Sequence, residues 1–222
     1  MSPAVSGPAL LSLQIATTST IIALPLAVAI AWLLTRTALP AKSLISAMVN
    51  LPLVLPPVVT GFFLLDALGR NGVVGRLLTP LGISVPFTWW AAVAASVVVS
   101  LPLAVWTIKV AFEAIDPSVE NAARVLGRDE WGVFSEVTLP LARRGLLGAA
   151  VLAFARSLGE FGATIVVAGS TPGETLTMPS AVFLYMNQSG MEGAVTTLVW
   201  LAAAFSFVSL LVVNGVAWTQ RR

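Results

Sequence analysis

Long apolar stretches alternate with short polar segments along most of this chain. Five of the stretches reach the roughly 20 apolar residues that a helix needs to cross a lipid bilayer. Before the last stretch, residues 170–193 form either a short re-entrant helix or a surface loop. The pattern shows no internal repeat, so we predict an all-α polytopic membrane protein with about five transmembrane helices in a single domain, residues 1–222. The predicted spans are residues 10–34, 44–68, 87–110, 145–169 and 194–218.

The longest polar segment, residues 111–141, is too polar to cross the membrane, but it carries the signals of two short helices. Asp116 can cap a first helix, which would end at Gly127, because glycine readily adopts the left-handed conformation that terminates helices. Asp129 can cap a second helix, which would stop before Pro140. The two predicted helices run from Pro117 to Leu126 and from Glu130 to Thr138.

Composition supports the membrane assignment and excludes several kinds of chemistry. Of the 222 residues, 57% are hydrophobic and only 10% are charged, whereas a soluble domain has about 25% charged residues. The chain contains no His and no Cys, so thiol nucleophiles, imidazole acid–base catalysis and the usual zinc sites are excluded. No basic stripe with interleaved aromatic residues indicates nucleic-acid binding. We therefore predict no catalytic residue, no metal and no cofactor.

The distribution of Lys and Arg predicts the orientation of the chain, because basic residues are enriched in cytoplasmic loops. If residues 111–141 are cytoplasmic, nine basic residues lie on that side, Arg70 and Arg76 lie outside, and Arg156 lies within a span. This orientation puts the N-terminus outside and the C-terminus in the cytoplasm of a cell (inner) membrane protein. The nine residues are Arg36, Lys42, Lys109, Arg124, Arg128, Arg143, Arg144, Arg221 and Arg222.

Prolines are concentrated in the second apolar stretch, where Pro56 and Pro57 are followed by Thr60 and Gly61. Each proline removes a backbone donor and can kink a helix. Broken helices are tolerated in membranes where other helices or a cavity satisfy the freed carbonyl groups. Two interpretations remain open: a bent helix that lines a translocation path, or a packing kink in a rigid bundle.

Two charged residues, Arg156 and Glu160, fall in the middle of the fourth apolar stretch. A charge at the centre of a bilayer costs about 3 kcal/mol, and residues four apart share a helix face. We therefore expect an internal pair that is either a hinge or gate near a translocation path or a self-neutralising contact that fixes helix packing. The neighbouring Ser157 and Gly162 are small, which permits close helix approach.

The segment 111–141 resembles the EAA loop of ABC importer permeases. That family pattern is Glu-Ala-Ala, three residues, Gly, nine residues, Ile, one residue, Leu-Pro, and the spacing fits this chain throughout. Asn121 occupies the first position, with Glu120 one residue earlier. The resemblance implies a type I ABC importer permease fold in which this coupling loop docks on a cytoplasmic ABC ATPase. The implied coupling residues are Glu120, Asn121, Ala122, Ala123, Gly127, Leu139 and Pro140.

Nearly the whole chain is similar to the molybdate permease family of bacterial ABC importers. The resemblance implies a permease subunit that forms the path for molybdate by alternating access. The implied partners are a second copy of the chain, an ABC ATPase dimer, an extracytoplasmic molybdate-binding protein and the lipid bilayer. The stretches that carry the resemblance are Leu51–Val59, Gly69–Gly72 before Gly75, Leu152–Thr164 and Pro172–Thr175.

Several alternatives to this function remain. Sulfate, thiosulfate and tungstate permeases share much of the pattern. A passive channel would not need a capped cytoplasmic loop, and a membrane-embedded enzyme would need clustered acids or a nucleophile with a base. The chain has no phosphate-binding Gly-x-x-x-x-Gly-Lys-Ser/Thr loop, so ATP hydrolysis would require a partner. The candidate path or gate residues are Pro56, Pro57, Thr60, Gly61, Arg156, Ser157, Glu160 and Gly162.

Overall fold

The computed structural model describes residues 2–37 and 40–218, and this part of the chain contains helices and connecting segments but no strand. The all-α prediction is confirmed. The predicted cytoplasmic residues Arg221 and Arg222 lie outside the described residues. The α-helices are α1 Pro3–Arg36, α2 Lys42–Val54, α3 Pro57–Leu68, α4 Gly75–Leu78, α5 Trp89–Glu113, α6 Pro117–Val125, α7 Glu130–Val133, α8 Leu139–Leu141, α9 Arg143–Leu158, α10 Gly162–Val167, α11 Met178–Tyr185 and α12 Glu192–Trp218.

Three helices, α1, α5 and α12, are each long and apolar enough to cross a membrane. Two bent pairs bring the number of candidate spans in the described part of the chain to five. In the first pair, α2 and α3 meet at an angle of 118°. In the second, the segment Glu130–Leu141 and helix α9 meet at 71°.

The break between α2 and α3 lies at the proline pair. Leu55 and Pro56 have extended backbone conformations, with ψ values of 142° and 134°. Each of them precedes a proline, whose ring disfavours a helical conformation in the residue before it. The second predicted span, 44–68, is therefore two helices joined at an extended corner.

The fourth predicted span, 145–169, is also interrupted, which the apolar pattern did not predict. Helix α9 ends at Leu158, and α10 starts only at Gly162. Within the gap, the Glu160 carboxylate accepts a hydrogen bond of 2.8 Å from the amide of Ala163. This side-chain acceptor satisfies an amide at the start of α10 that has no carbonyl partner within that helix, so the chain can restart as a helix inside the apolar stretch.

The core is formed where α1 packs along α5 and α9. Ala23, Ala27 and Ala31 are fully buried at intervals of four residues, so they form one face of α1. On α5, Ala95 and Ala104 are equally buried. Small residues at these contacts let the helix backbones approach closely, which is how helices pack in a membrane.

In the segment 170–193, the structure contains a short helix, α11, which packs against α1 and α12. The amide of Met178, at the first turn of α11, donates a 2.7 Å hydrogen bond to the Ser12 hydroxyl of α1. Met178 and Ala181 are buried in the same cluster as residues of α1 and α12.

Candidate functional sites in the loop and the broken spans

The coupling loop, residues 111–141, begins as its capping residues predict. The Asp116 carboxylate accepts a 2.8 Å hydrogen bond from the Ser118 amide, and Asp129 accepts one of the same length from the Gly132 amide. Gly127 has a φ of +86°, in the left-handed region. The first helix therefore ends at the predicted glycine.

The second helix of the coupling loop does not stop before Pro140, contrary to the prediction. A five-residue π-helical turn, Phe134–Thr138, follows α7, and α8 carries Pro140 within the helical path. The Leu139 amide bonds to the Phe134 carbonyl, five residues back. This wider turn relieves the crowding that a proline causes in an ordinary α-helix, so the chain continues to Leu141.

The outer face of the coupling loop presents apolar side chains to the surroundings. Val125 and Leu126, at the end of α6, are 87% and 84% exposed. Ala122 is exposed on the same helix, whereas Ala123 is buried against the rest of the chain. The two alanines that the sequence pairs as one small face therefore point to different sides.

Glu120 anchors the inner side of the loop. It is 3% exposed, and its Oε1 lies 3.0 Å from Nη2 of Arg36, at the end of α1. The same oxygen accepts a 2.7 Å hydrogen bond from the Thr138 hydroxyl in the π-helical turn. Arg36 also donates, through Nη2, to the Phe112 carbonyl of α5 at 2.7 Å. Glu120, Arg36, Thr138 and Phe112 therefore join the loop to two long helices; we name them the Glu120 cluster.

Asn121 has a different environment from Glu120. It is exposed, and its side-chain oxygen accepts a 2.9 Å hydrogen bond from Nη1 of Arg124. The residue at the first position of the family pattern thus faces outward, and the preceding glutamate faces the membrane helices.

Sequence reasoning missed Arg36 and Thr138 as partners of Glu120. The spacing rule for helices would pair Glu120 with Arg124, four residues later. Arg124 instead binds Glu130, with 2.7 Å between Nε and Oε1. The one available signal was the position of Arg36 at the end of the first apolar stretch, where a basic side chain reaches the cytoplasmic surface.

The exposed charges of the loop pair among themselves. The hydrogen bond from Arg124 lowers the pKa of Glu130, and the interaction with Glu130 raises the pKa of Arg124. The Ser118 amide lowers the pKa of Asp116. Arg128 lies 2.9 Å from Glu136, and both are about half exposed. These contacts hold the loop to itself, but exposed ion pairs contribute little stability.

The predicted path residues of the second and fourth apolar stretches meet where α3 contacts α10. A Cβ atom on Gly61 would lie 2.7 Å from the Ala163 carbonyl oxygen, and one on Gly162 would lie 2.7 Å from Cβ of Pro57. Both glycines are therefore required for the close contact between these helices. Pro56 is exposed at the corner before α3.

Two buried hydroxyl groups belong to this helix pair. Thr60 of α3 is 4% exposed and Thr164 of α10 is 1% exposed. Neither hydroxyl has a hydrogen-bond partner among the described residues. Both flank the glycine contact in sequence, next to Gly61 and Ala163 respectively.

Arg156 and Glu160 form the predicted pair, with 2.8 Å between Nη1 and Oε2. Glu160 is 2% exposed. The expected common helix face is wrong, however, because Glu160 lies in the gap after α9 rather than on it. Its second oxygen caps α10, as described above, so this carboxylate connects the two halves of the broken span. Ser157 is buried and accepts a 3.0 Å hydrogen bond from the Ser19 hydroxyl of α1.

Comparison with protein families gives one match over most of the chain. Residues 23–218 match the family described as "Binding-protein-dependent transport system inner membrane component". The chain is 44% identical to the molybdenum transport system permease protein ModB of Escherichia coli (strain K12), over 96% of this chain and 93% of that protein. It is 46% identical to ModB of Haemophilus influenzae, over 96% and 92% of the two chains.

Solved structures with similar folds are more distant in sequence. An amino acid ABC transporter crystallised with histidines has a TM-score of 0.67 at 18% identity, covering 99% of this chain and 94% of that one. A bacterial alginate ABC transporter, in complex with an alginate pentasaccharide-bound periplasmic protein, has a TM-score of 0.67 at 19% identity, covering 97% and 77%. At these identities the likeness is one of fold.

Proposed function

Because the chain belongs to the family of binding-protein-dependent transport system inner membrane components, we propose that it is the membrane-spanning permease subunit of an ATP-driven molybdate importer. The observation that carries the proposal is the identity of 44–46% to molybdenum transport permeases over 96% of the chain. Identity of this extent includes both the coupling loop and the broken spans. Sulfate, thiosulfate or tungstate remains the alternative substrate.

Energy would come from a separate ABC ATPase dimer that docks on the coupling loop. The chain contains no phosphate-binding loop of its own. Val125 and Leu126 support the docking role, because two large apolar side chains exposed at the end of a capped helix suit burial in a partner's groove. The anchoring of Glu120 supports it from the other side, since a docked loop transmits movement only if it is attached to the spans.

The translocation path would lie between two copies of the chain. A symmetric pair encloses more volume than one copy, and the α2–α3 corner offers an apolar surface for it, with Val54 83% and Phe62 61% exposed. Alternating access would then move the α3–α10 contact. The proposed path or gate residues are Pro56, Pro57, Thr60, Gly61, Arg156, Ser157, Glu160 and Gly162.

We place the N-terminus outside and the C-terminus in the cytoplasm, with a molybdate-binding protein docking from the outside. The excess of Lys and Arg on the side of the coupling loop supports this orientation. A periplasmic protein is present in the structure of the alginate transporter, whose permease has a similar fold.

The test is reconstitution of the chain with its ATPase and binding protein in lipid vesicles. We expect uptake of molybdate that requires ATP and is inhibited by tungstate. Sulfate is the competing arm, and stronger inhibition by sulfate would favour the alternative substrate. Uptake that persists without ATP would contradict the importer and indicate a passive channel. Indifference to all three oxyanions would remove the substrate assignment.

A second experiment tests the docking of the coupling loop. Gly127→Val should abolish uptake while membrane insertion is retained, because a β-branched residue does not adopt a φ of +86° without strain. Gly82→Val is a matched control, since Gly82 also has a positive φ of 71° but lies outside the coupling loop. Normal uptake by the Gly127→Val protein would contradict the coupling role.

A further inference from the structure

The Glu120 cluster concentrates its contacts on a single carboxylate oxygen. Oε1 of Glu120 accepts from Nε of Arg36 at 3.1 Å and from the Thr138 hydroxyl at 2.7 Å, and it lies 3.0 Å from Nη2 of Arg36. Nη2 of Arg36 also donates to the Phe112 carbonyl. One guanidinium group therefore contacts the loop and the last turn of α5 while it is covalently part of α1.

The geometry of the Glu120 cluster makes this connection stiff. A guanidinium group is planar and donates in fixed directions, so it holds two acceptors at a defined separation. The Phe112 carbonyl belongs to the C-terminal end of α5, where a positive charge is electrostatically favoured. The side chains of Arg36 and Glu120 are 17% and 4% exposed, so water competes little for these bonds.

Other contacts of the coupling loop differ in kind. The ion pairs Arg124–Glu130 and Arg128–Glu136 are exposed and lie within the loop, so they stiffen it without connecting it to a span. Phe134 does contact Trp32 of α1, with ring centroids 4.8 Å apart. That contact is apolar, and apolar contacts are less directional than hydrogen bonds to a charged group.

We propose that Arg36 is a positioning residue that holds the coupling loop to the cytoplasmic ends of α1 and α5, so that a displacement of the loop moves both spans together. This inference rests on the proposed function, because it concerns how docking of the ATPase reaches the path. It assigns the transmission to Glu120 and its partners on the inner face, and the docking to the outer face of the loop.

The test compares two variants of the complete reconstituted complex. In Arg36→Met the cluster loses its charged donor. In the control, Lys109→Met, an exposed pair with Glu113 at 3.6 Å within α5 is lost instead. The measured quantity is molybdate imported per ATP hydrolysed. We expect this ratio to fall about fivefold or more in Arg36→Met, the lower range of a typical coupling between sites. The ATPase stays bound, and Lys109→Met keeps the wild-type ratio.

Two milder variants test the same ratio without removing the charge. Arg36→Lys keeps the charge but replaces the fork with a single nitrogen, which is a poor substitute for contacts to both Glu120 and Phe112. Thr138→Val removes one donor to Glu120 and nearly preserves the side-chain volume. We expect both ratios to lie between those of wild type and Arg36→Met, with Arg36→Lys the lower. These variants decide the question if Arg36→Met fails to fold.

An unchanged ratio in all three variants would overturn the inference. So would a parallel loss of ATPase binding and uptake, because that result would assign Arg36 to docking alone. A wild-type complex that imports no molybdate would overturn the proposed function instead, and the two failures are therefore distinguishable.

Discussion

The coupling loop and the break in the fourth apolar stretch each contain one buried glutamate, and the two glutamates bind very different sets of partners. Glu160 contacts Arg156 and the Ala163 amide, which are four and three residues away. Glu120 contacts Arg36 and Thr138, which are 84 and 18 residues away. One carboxylate fixes a local bend, and the other ties together segments that are remote in sequence.

The difference shows how similar chemistry supports two mechanical roles. At the break, the contacts of Glu160 determine where one helix ends and the next begins, so they define a corner. At the loop, the contacts of Glu120 determine how separate helices sit relative to one another, so they define a joint. The experiments below test whether the corner is the more rigid and more tightly packed of the two regions.

Loss of the Glu160 charge should have the largest effect on stability. Glu160→Gln keeps an acceptor for the Ala163 amide but leaves Arg156 without its counter-ion, and removal of one partner of a buried pair costs about 3–5 kcal/mol. Arg156 is one-third exposed, so we expect the lower end, about 3 kcal/mol. Thermal unfolding in detergent measures the loss.

A matched double variant separates charge from packing at this site. Arg156→Met combined with Glu160→Gln removes both charges, and we expect it to be more stable than Glu160→Gln alone. If the double variant is no more stable than the single one, the corner is not held by the ion pair, and the contrast with Glu120 fails.

Crowding at the α3–α10 contact should have the second largest effect. Gly61→Ala places a Cβ 2.7 Å from a backbone oxygen, which cannot move aside as a side chain can. We expect a loss of about 2 kcal/mol, typical of overpacking. Gly148→Ala is the control, because its new Cβ would meet only Thr107 Cγ2 at 4.0 Å. Equal stabilities of the two variants would show that the contact adapts.

The glycine of the coupling loop should respond more weakly and for another reason. A Cβ on Gly127 would meet nothing within 4 Å, but the backbone is left-handed there. Gly127→Ala should therefore lose about 1 kcal/mol of stability. Gly127→Asn should lose less, since asparagine tolerates this conformation better. A larger loss for Asn than for Ala would indicate that space, and not backbone conformation, limits this position.

Acid should have the smallest effect, and only on the loop. The pKa of Asp116 is lowered by its hydrogen bond from the Ser118 amide. A group whose pKa is depressed on folding stabilises the fold above its unfolded pKa, about 4, and loses that contribution as the pH falls through the folded value. Protection of the Ser118 amide against hydrogen exchange should thus be constant near neutral pH and fall only below about pH 4.

Asp116→Asn is the control for the pH experiment. Asparagine also caps helices, but it does not titrate, so its protection should be independent of pH over the same range. A midpoint above about pH 5 in the wild-type protein would contradict the depressed pKa.

The features that sequence predicted are those set by near neighbours. Asp116, Asp129 and Gly127 act within a few residues, and their roles follow from local helix rules. The corner at Pro56 follows from proline stereochemistry in the same way. Hydropathy located the long helices for a related reason, since each must be apolar along its own length.

The features that sequence missed depend on side chains that replace backbone contacts or reach across the fold. The gap after Leu158 exists because the Glu160 carboxylate takes the place of a helical carbonyl, which an apolar pattern does not register. Pro140 stays helical because a π-helical turn precedes it. The partnership of Glu120 with Arg36 requires α1 and α6 to be adjacent, which no local spacing reveals.

The length of α1 has a consequence for the membrane itself. Its 34 residues extend about 51 Å at 1.5 Å per residue, whereas the hydrocarbon core is about 30 Å thick. Even at a tilt of about 40°, the upper end of the usual range, roughly 39 Å would lie along the bilayer normal. The helix therefore extends beyond the acyl chains and brings Arg36 to the depth of the lipid headgroups. Bilayers a few ångströms thicker or thinner can then be accommodated by α1 without a change in its fold.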